Sequence, residues 1–192
     1  MSDELFTIVG RFLTKHDVDG ASAHLEGLLS VADSGRFCSL LKSRFTNSPQ
    51  SVLNHINMFL EICQKQFNVK AVYLPHNGFV YNNDRWYFDS LAYDQFHDLL
   101  LNWEWLCHSN SPNWDTFTLL GLESVQEDFR LYVEGDACDQ DHWHSIADIA
   151  ELLVKVRYVQ LIQSALATDS LCVRVPVFVT AYTPDFYCRF DP

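Results

Sequence analysis

Basic residues are scarce in this chain: 13 Lys and Arg stand against 25 Asp and Glu, leaving a formal net charge of −12. A surface of that sign repels phosphate backbones and anionic headgroups, so nucleic acid and membrane surfaces are not expected partners. Glycine is scarce as well, with 7 in 192 residues. No G-x-G-x-x-G, G-x-x-x-x-G-K-[ST] or G-x-S-x-G occurs, which removes the usual nucleotide cradles and the nucleophile elbow. No run approaches the roughly 20 apolar residues of a membrane helix. The start, Met-Ser-Asp-Glu-Leu, lacks the basic and long apolar regions of a signal peptide. A soluble, cytoplasmic product is therefore expected. Cys38, Cys63, Cys107, Cys138, Cys172 and Cys188 are spread singly, with no C-x-x-C. That spacing predicts reduced, mostly buried thiols rather than a disulfide framework.

What is present favours a folded chain. Hydrophobic residues make up 48% and aromatics 14%, far from the composition of disorder. At this length one domain, 1–192, is the simplest organisation, helical over 1–67 and mixed over 68–192. Apolar stripes at Leu5, Ile8, Val9 and Phe12, and at Ala21, Leu25, Leu28 and Leu29, predict two helices. Ser48 followed by Pro49 opens a third, with Val52, Leu53, Ile56, Phe59, Leu60, Cys63 and Phe67 inward. Val69–Leu74, Phe79–Tyr81 and Arg85–Phe88, separated by Asn77-Gly78 and Asn82-Asn83-Asp84, suggest a three-stranded meander.

Helical spacing returns over Ala92–Cys107, then a short strand is expected at Thr116–Leu119. Ser124 with Glu127 resembles a capping box, and Gly135 supplies a stop. A long helix is expected from about His142 to Ala167. Over Leu171–Tyr182 alternating valines predict a strand, which Pro176 pushes to a sheet edge or a bulge. The class is α+β: a helical N-terminal part packed with a small, mostly antiparallel sheet, and further helices in the C-terminal half.

Three constellations invite chemistry, and each has a simpler reading. Asp136, Asp139, Asp141, His142, His144 and Asp148 carry metal-binding groups at close spacing. In a helix, however, His142 and His144 diverge by about 200°. Acidic residues before a helix also complement its dipole without any metal. Ser39-Leu-Leu-Lys42 fits S-x-x-K, but without its companion K-T-G it is an ordinary surface pair. Trp103-Glu104-Trp105 with Asp115 or Glu123 contains the parts of a sugar-cleaving cleft, yet parts without geometry make no site. No catalytic residue, metal ligand or cofactor is assigned on this basis.

Charge is unevenly spread. Between Asp84 and Glu151 there are 15 Asp and Glu against only Arg85 and Arg130, and all five tryptophans lie in the same stretch. If Trp103 faces a helical core, Trp105 points outward, Trp114 lies in a polar loop, and Trp143 lies in the acidic cluster. Aromatic anchors among carboxylates suit a basic protein partner, because charge speeds encounter and rings supply buried contact. The expected function is a non-enzymatic interaction module, inhibitor- or immunity-like. Trp105, Trp114 and Trp143 would be its anchors, with Asp136, Asp139 and Asp141 steering. The alternative is a small hydrolase, metal-assisted through the Asp136–Asp148 cluster or carboxylate-based.

Overall fold

A computed structural model describes residues 3–32, 35–97, 104–135, 141–169, 172–180 and 187–192, with the backbone alone at 3, 141–143, 180 and 187. The class is α+β, as expected. Four helices fill the first third: α1 (Asp3–Thr14), α2 (Val18–Ala32), α3 (Cys38–Lys42) and α4 (Pro49–Gln64). Strands β1 (Ala71–Pro75), β2 (Tyr87–Phe88) and β3 (Leu91–Tyr93) follow, then a 3-10 turn at Glu104–Cys107 and β4 (Phe117–Thr118). Helices α5 (Glu123–Glu134) and α6 (Asp141–Thr168) precede β5 (Val177–Thr180) and β6 (Tyr187–Phe190). No described helix is long and apolar enough to cross a membrane.

The chain divides into two compact units, each built from three stretches: Met1–Thr46, Gly78–Trp86 and Leu119–Gln160, and Asn47–Asn77, Tyr87–Thr118 and Leu161–Pro192. All described strands belong to the second unit; the first is helical.

In the first unit an aromatic chain links its three stretches. Phe37 meets Phe129 at 4.7 Å between ring centroids, Phe129 meets Trp86 at 6.1 Å, and Trp86 meets Phe79 at 4.8 Å. Trp86 Nε1 donates to the Phe79 carbonyl at 2.9 Å, so the indole is buried without stranding its N–H. Beside this chain α6 buries Arg157, whose guanidinium donates to the Leu40 carbonyl and to Glu26 Oε1 (3.0 Å). The same Glu26 oxygen accepts from Arg44 (2.6 Å) and from Ser22 Oγ (3.1 Å). One carboxylate on α2 thus gathers α6 and the segment after α3. Burial pulls the Arg157 guanidinium down to about 10, against the opposing pull of Glu26.

In the second unit β1 is the hub. It pairs antiparallel with β3 and parallel with β5, and β5 pairs antiparallel with β6, giving the order β3-β1-β5-β6. Side chains alternate across a strand, so Ala71 and Tyr73 share one face with Tyr93 and Phe178 of the neighbouring strands. Trp105 closes over that face, edge-on to Tyr93 at 4.7 Å and to Phe178 at 5.3 Å. Val72 and Leu74 point the other way and are also fully buried, so this sheet is covered on both sides. A separate ribbon pairs β2 with β4, stacking Phe88 on Phe117 at 5.1 Å. His55 of α4 packs edge-on against both rings.

Several expectations are corrected. Phe79–Tyr81 is a turn rather than a strand: Gly78 takes φ 71°, and its carbonyl accepts the Tyr81 and Asn82 N–H groups, both at 3.2 Å. Ala92–Cys107 is not one helix, since Leu91–Tyr93 is strand and the described end is a 3-10 turn. Pro176 does not put its strand at an edge. β5 starts one residue later and lies inside the sheet, while the Pro176 carbonyl accepts the Val72 N–H at 2.9 Å. The described cysteines are all free, but Cys38, Cys107 and Cys172 are exposed and only Cys63 and Cys188 are buried.

Candidate functional site

Helix α5 runs through the middle of the acidic stretch and is built to show one of its faces. Its N-cap is Leu122 rather than Ser124. The Leu122 carbonyl accepts from Val125 and Gln126, and Glu123 reaches back to the Gly121 N–H at 2.8 Å. Gly121 is needed there: its φ is 103°, and a Cβ would lie 2.5 Å from the Arg44 carbonyl oxygen. Val125, Phe129 and Tyr132, spaced four and three apart, form the buried stripe.

The outward side carries Glu123, Glu127, Leu131 and Glu134, all exposed, and Val133 is exposed on a flank about 200° round the helix from Leu131. Leu131 retains 48% of its surface and Val133 40%. Arg130 clamps two of the carboxylates, donating to Glu127 and Glu134 at 2.5 Å each. Its hydrogen bond holds the Glu127 carboxyl below the usual range. On the half-buried side Asp128 accepts from Ser39 Oγ at 3.1 Å. Burial nevertheless raises the Asp128 carboxyl above its ordinary value, outweighing that bond and the Phe37 N–H. Four acids and one base make α5 strongly anionic.

The expected anchors fare unequally. Trp105 is not exposed; it is 5% accessible and lies in the aromatic layer over the sheet. Its outward orientation presupposed an α-helix at Ala92–Cys107, and without that helix the 200° argument has no basis. Trp114 is half-buried: its Nε1 donates to His55 Nε2 at 3.1 Å, and its ring lies 5.9 Å from Phe59. His55 must be neutral at Nε2 to accept, and burial lowers its pKa despite the nearby Asp115 carboxylate. Asp136 and Asp139 lie outside the described residues. Asp141 and Trp143 fall in the first turn of α6, placed by backbone only.

The constellations are likewise resolved in part. His144 Nδ1 is 2.7 Å from the Tyr132 hydroxyl, joining α6 to α5. Among the described residues no group of three His, Cys, Asp or Glu could hold a metal ion. Ser39 is turned to Asp128 and is not engaged with Lys42. Glu123 of the imagined sugar cleft is occupied as a backbone cap, and Trp105 is interior.

No protein-family model, curated protein or solved structure matches this chain. The functional reading therefore rests on geometry and charge. Leu131 and Val133 are not among the anchors expected from the sequence. The helical period of α5 does mark them: with Val125 and Phe129 inward, both fall off the buried stripe.

Proposed function

We propose that the chain is a non-enzymatic protein-interaction module, inhibitor- or immunity-like, that offers the exposed face of α5 to a basic protein partner. The observation that supports this is the setting of Leu131, an exposed aliphatic residue, among Glu123, Glu127 and Glu134 on the outward side of the helix. Apolar contact supplies affinity, and the carboxylates select a cationic surface and steer it in. Arg130 adds a feature of its own. By holding Glu127 and Glu134 it keeps both carboxylates pre-positioned, and a partner's Arg or Lys can share their outer lone pairs. Asp136, Asp139 and Asp141 follow α5 in the chain and add to the same charge, with Trp143 two residues beyond. Trp105 leaves the anchor set because it is buried, and Trp114 because it is engaged with α4.

The test compares the native chain with a Leu131→Ser variant as baits in host lysate, at ~50 mM and ~500 mM salt. Leu131 is exposed, and an unaltered melting temperature of the variant is the control that it folds. A basic protein that is held by the native chain, lost by the variant and weakened at high salt supports the reading. Equal capture by both baits removes α5 as the interface.

A further inference from the structure

Helices α1, α2 and α6 of the first unit leave a groove of about 330 Å³ between them. Its apolar lining comes from Leu5 and Ile8 on α1, Leu28 on α2 and Ile149 on α6. Leu28 keeps 36% of its surface, and the other three are half-buried. One turn beyond Leu28, on the same side of α2, Val31 is 84% exposed and prolongs the apolar line. One turn before it, His24 sets its ring 5.9 Å from that of Phe12 on α1 and forms part of the wall.

A groove walled by helices offers a guest side chains and little backbone to pair with. All described strands belong to the second unit, so an extended peptide would find no described sheet edge here for its N–H and C=O groups. A helical guest brings those bonds already made within itself and lays a row of apolar residues into such a groove. The lining also selects a sign. Its carboxylates are Glu4 and Asp148, and no Lys or Arg is among its described residues. Glu4 is exposed, and its carboxylate makes no hydrogen bond or ion pair with a described residue, so its charge is open to a partner.

We propose that this groove docks a basic amphipathic helix of a protein partner. The apolar face of that helix covers Leu5, Ile8, Leu28 and Ile149, and a Lys or Arg at its edge reaches Glu4. An acidic helix would meet Glu4 with like charge, and an anionic membrane surface is repelled by the net −12 of the chain. None of the lining residues belongs to α5, so this docking stands apart from the interface proposed there.

Three synthetic peptides of roughly 18 residues, about five helical turns, test it on the full chain by calorimetry. The first carries leucines along one face and lysines elsewhere. The second has the same composition with its leucines scattered around the helix, and the third has glutamate in place of lysine. The first should bind at least about tenfold more tightly than the second, and the third should not bind. Leu28→Ser should weaken the first by about tenfold. Glu4→Lys, at an exposed position, should weaken it several-fold at ~50 mM salt with an unaltered melting temperature. Leu131→Ser on α5 should leave it unchanged. Equal binding of the first two peptides would reduce the attraction to bulk charge and overturn the groove. So would binding that Leu28→Ser and Glu4→Lys leave intact, binding that only Leu131→Ser removes, or no binding up to about 1 mM.

Discussion

The two units solve the problem of a core in different currencies. The first sets a guanidinium at its centre, with Arg157 fanned between the Leu40 carbonyl and a Glu26 oxygen that also serves Arg44 and Ser22. The second closes a sheet face with rings, Trp105 edge-on to Tyr93 and Phe178. A polar centre stabilises only one arrangement of its helices, because each donor has a particular acceptor to reach. An aromatic layer gains chiefly from area and tolerates adjustment. The difference predicts that the first unit is sensitive to which atoms are present, and the second to how much volume is filled.

The largest effect should come from emptying the second core. Trp105→Ala is expected to lower stability by about 3–5 kcal/mol in urea unfolding, with Trp105→Phe recovering a large part, since volume is what matters there. If Trp105→Phe is no better than Trp105→Ala, the area argument fails. Next, Arg157→Ala should cost about 3 kcal/mol, because it strands the buried Leu40 carbonyl and uncouples Glu26. Arg157→Met, which fills the space and removes the buried charge, separates the two contributions; recovery close to native stability would show that the polar centre selects geometry more than it stabilises.

Gly121→Ala should cost about 1–3 kcal/mol, because the residue is held at φ 103° against the Arg44 carbonyl. A neutral result would mean that the start of α5 can shift, loosening the face proposed for the partner. The smallest effect concerns acid. Burial lowers the His55 pKa below 6.5, so the unfolded chain takes up a proton before the folded one does. The contribution of His55 is complete above pH 6.5 and is lost as pH falls from there through the lowered value. Protonation also removes the lone pair that accepts Trp114 Nε1–H. The fluorescence difference between the native chain and Trp114→Phe should therefore red-shift with acid in that window. A difference spectrum that does not change there would refute the neutral-acceptor assignment.

Local features were legible in the sequence and distant ones were not. Ser48 and Pro49 open α4 as expected, with Ser48 accepting the Ser51 N–H, and the periodic apolar run of α6 became a 28-residue helix. Cap and period act within one or two turns, so a sequence displays them directly. The sheet is different: β1 pairs with β5 across about a hundred residues, and nothing local in Val72 names Val177 as its partner. The misreading of Ala92–Cys107 has the same origin. Phe96 and Leu106 both pack against one aromatic layer, but they reach it from separate elements rather than from one helix. At the candidate face, charge was legible and exposure was not. The acids of α5 are plain in the composition, whereas Trp105 turning inward depends on Phe178, far along the chain.

Because α6 passes from one unit into the other at Gln160 and Leu161, the chain resists dissection. No single cut liberates either half whole. A fragment ending at residue 160 keeps β1 but loses β5, its parallel neighbour, while one beginning at residue 47 discards Glu26 and leaves Arg157 without its acid. Neither half can be moved between genes as one contiguous cassette.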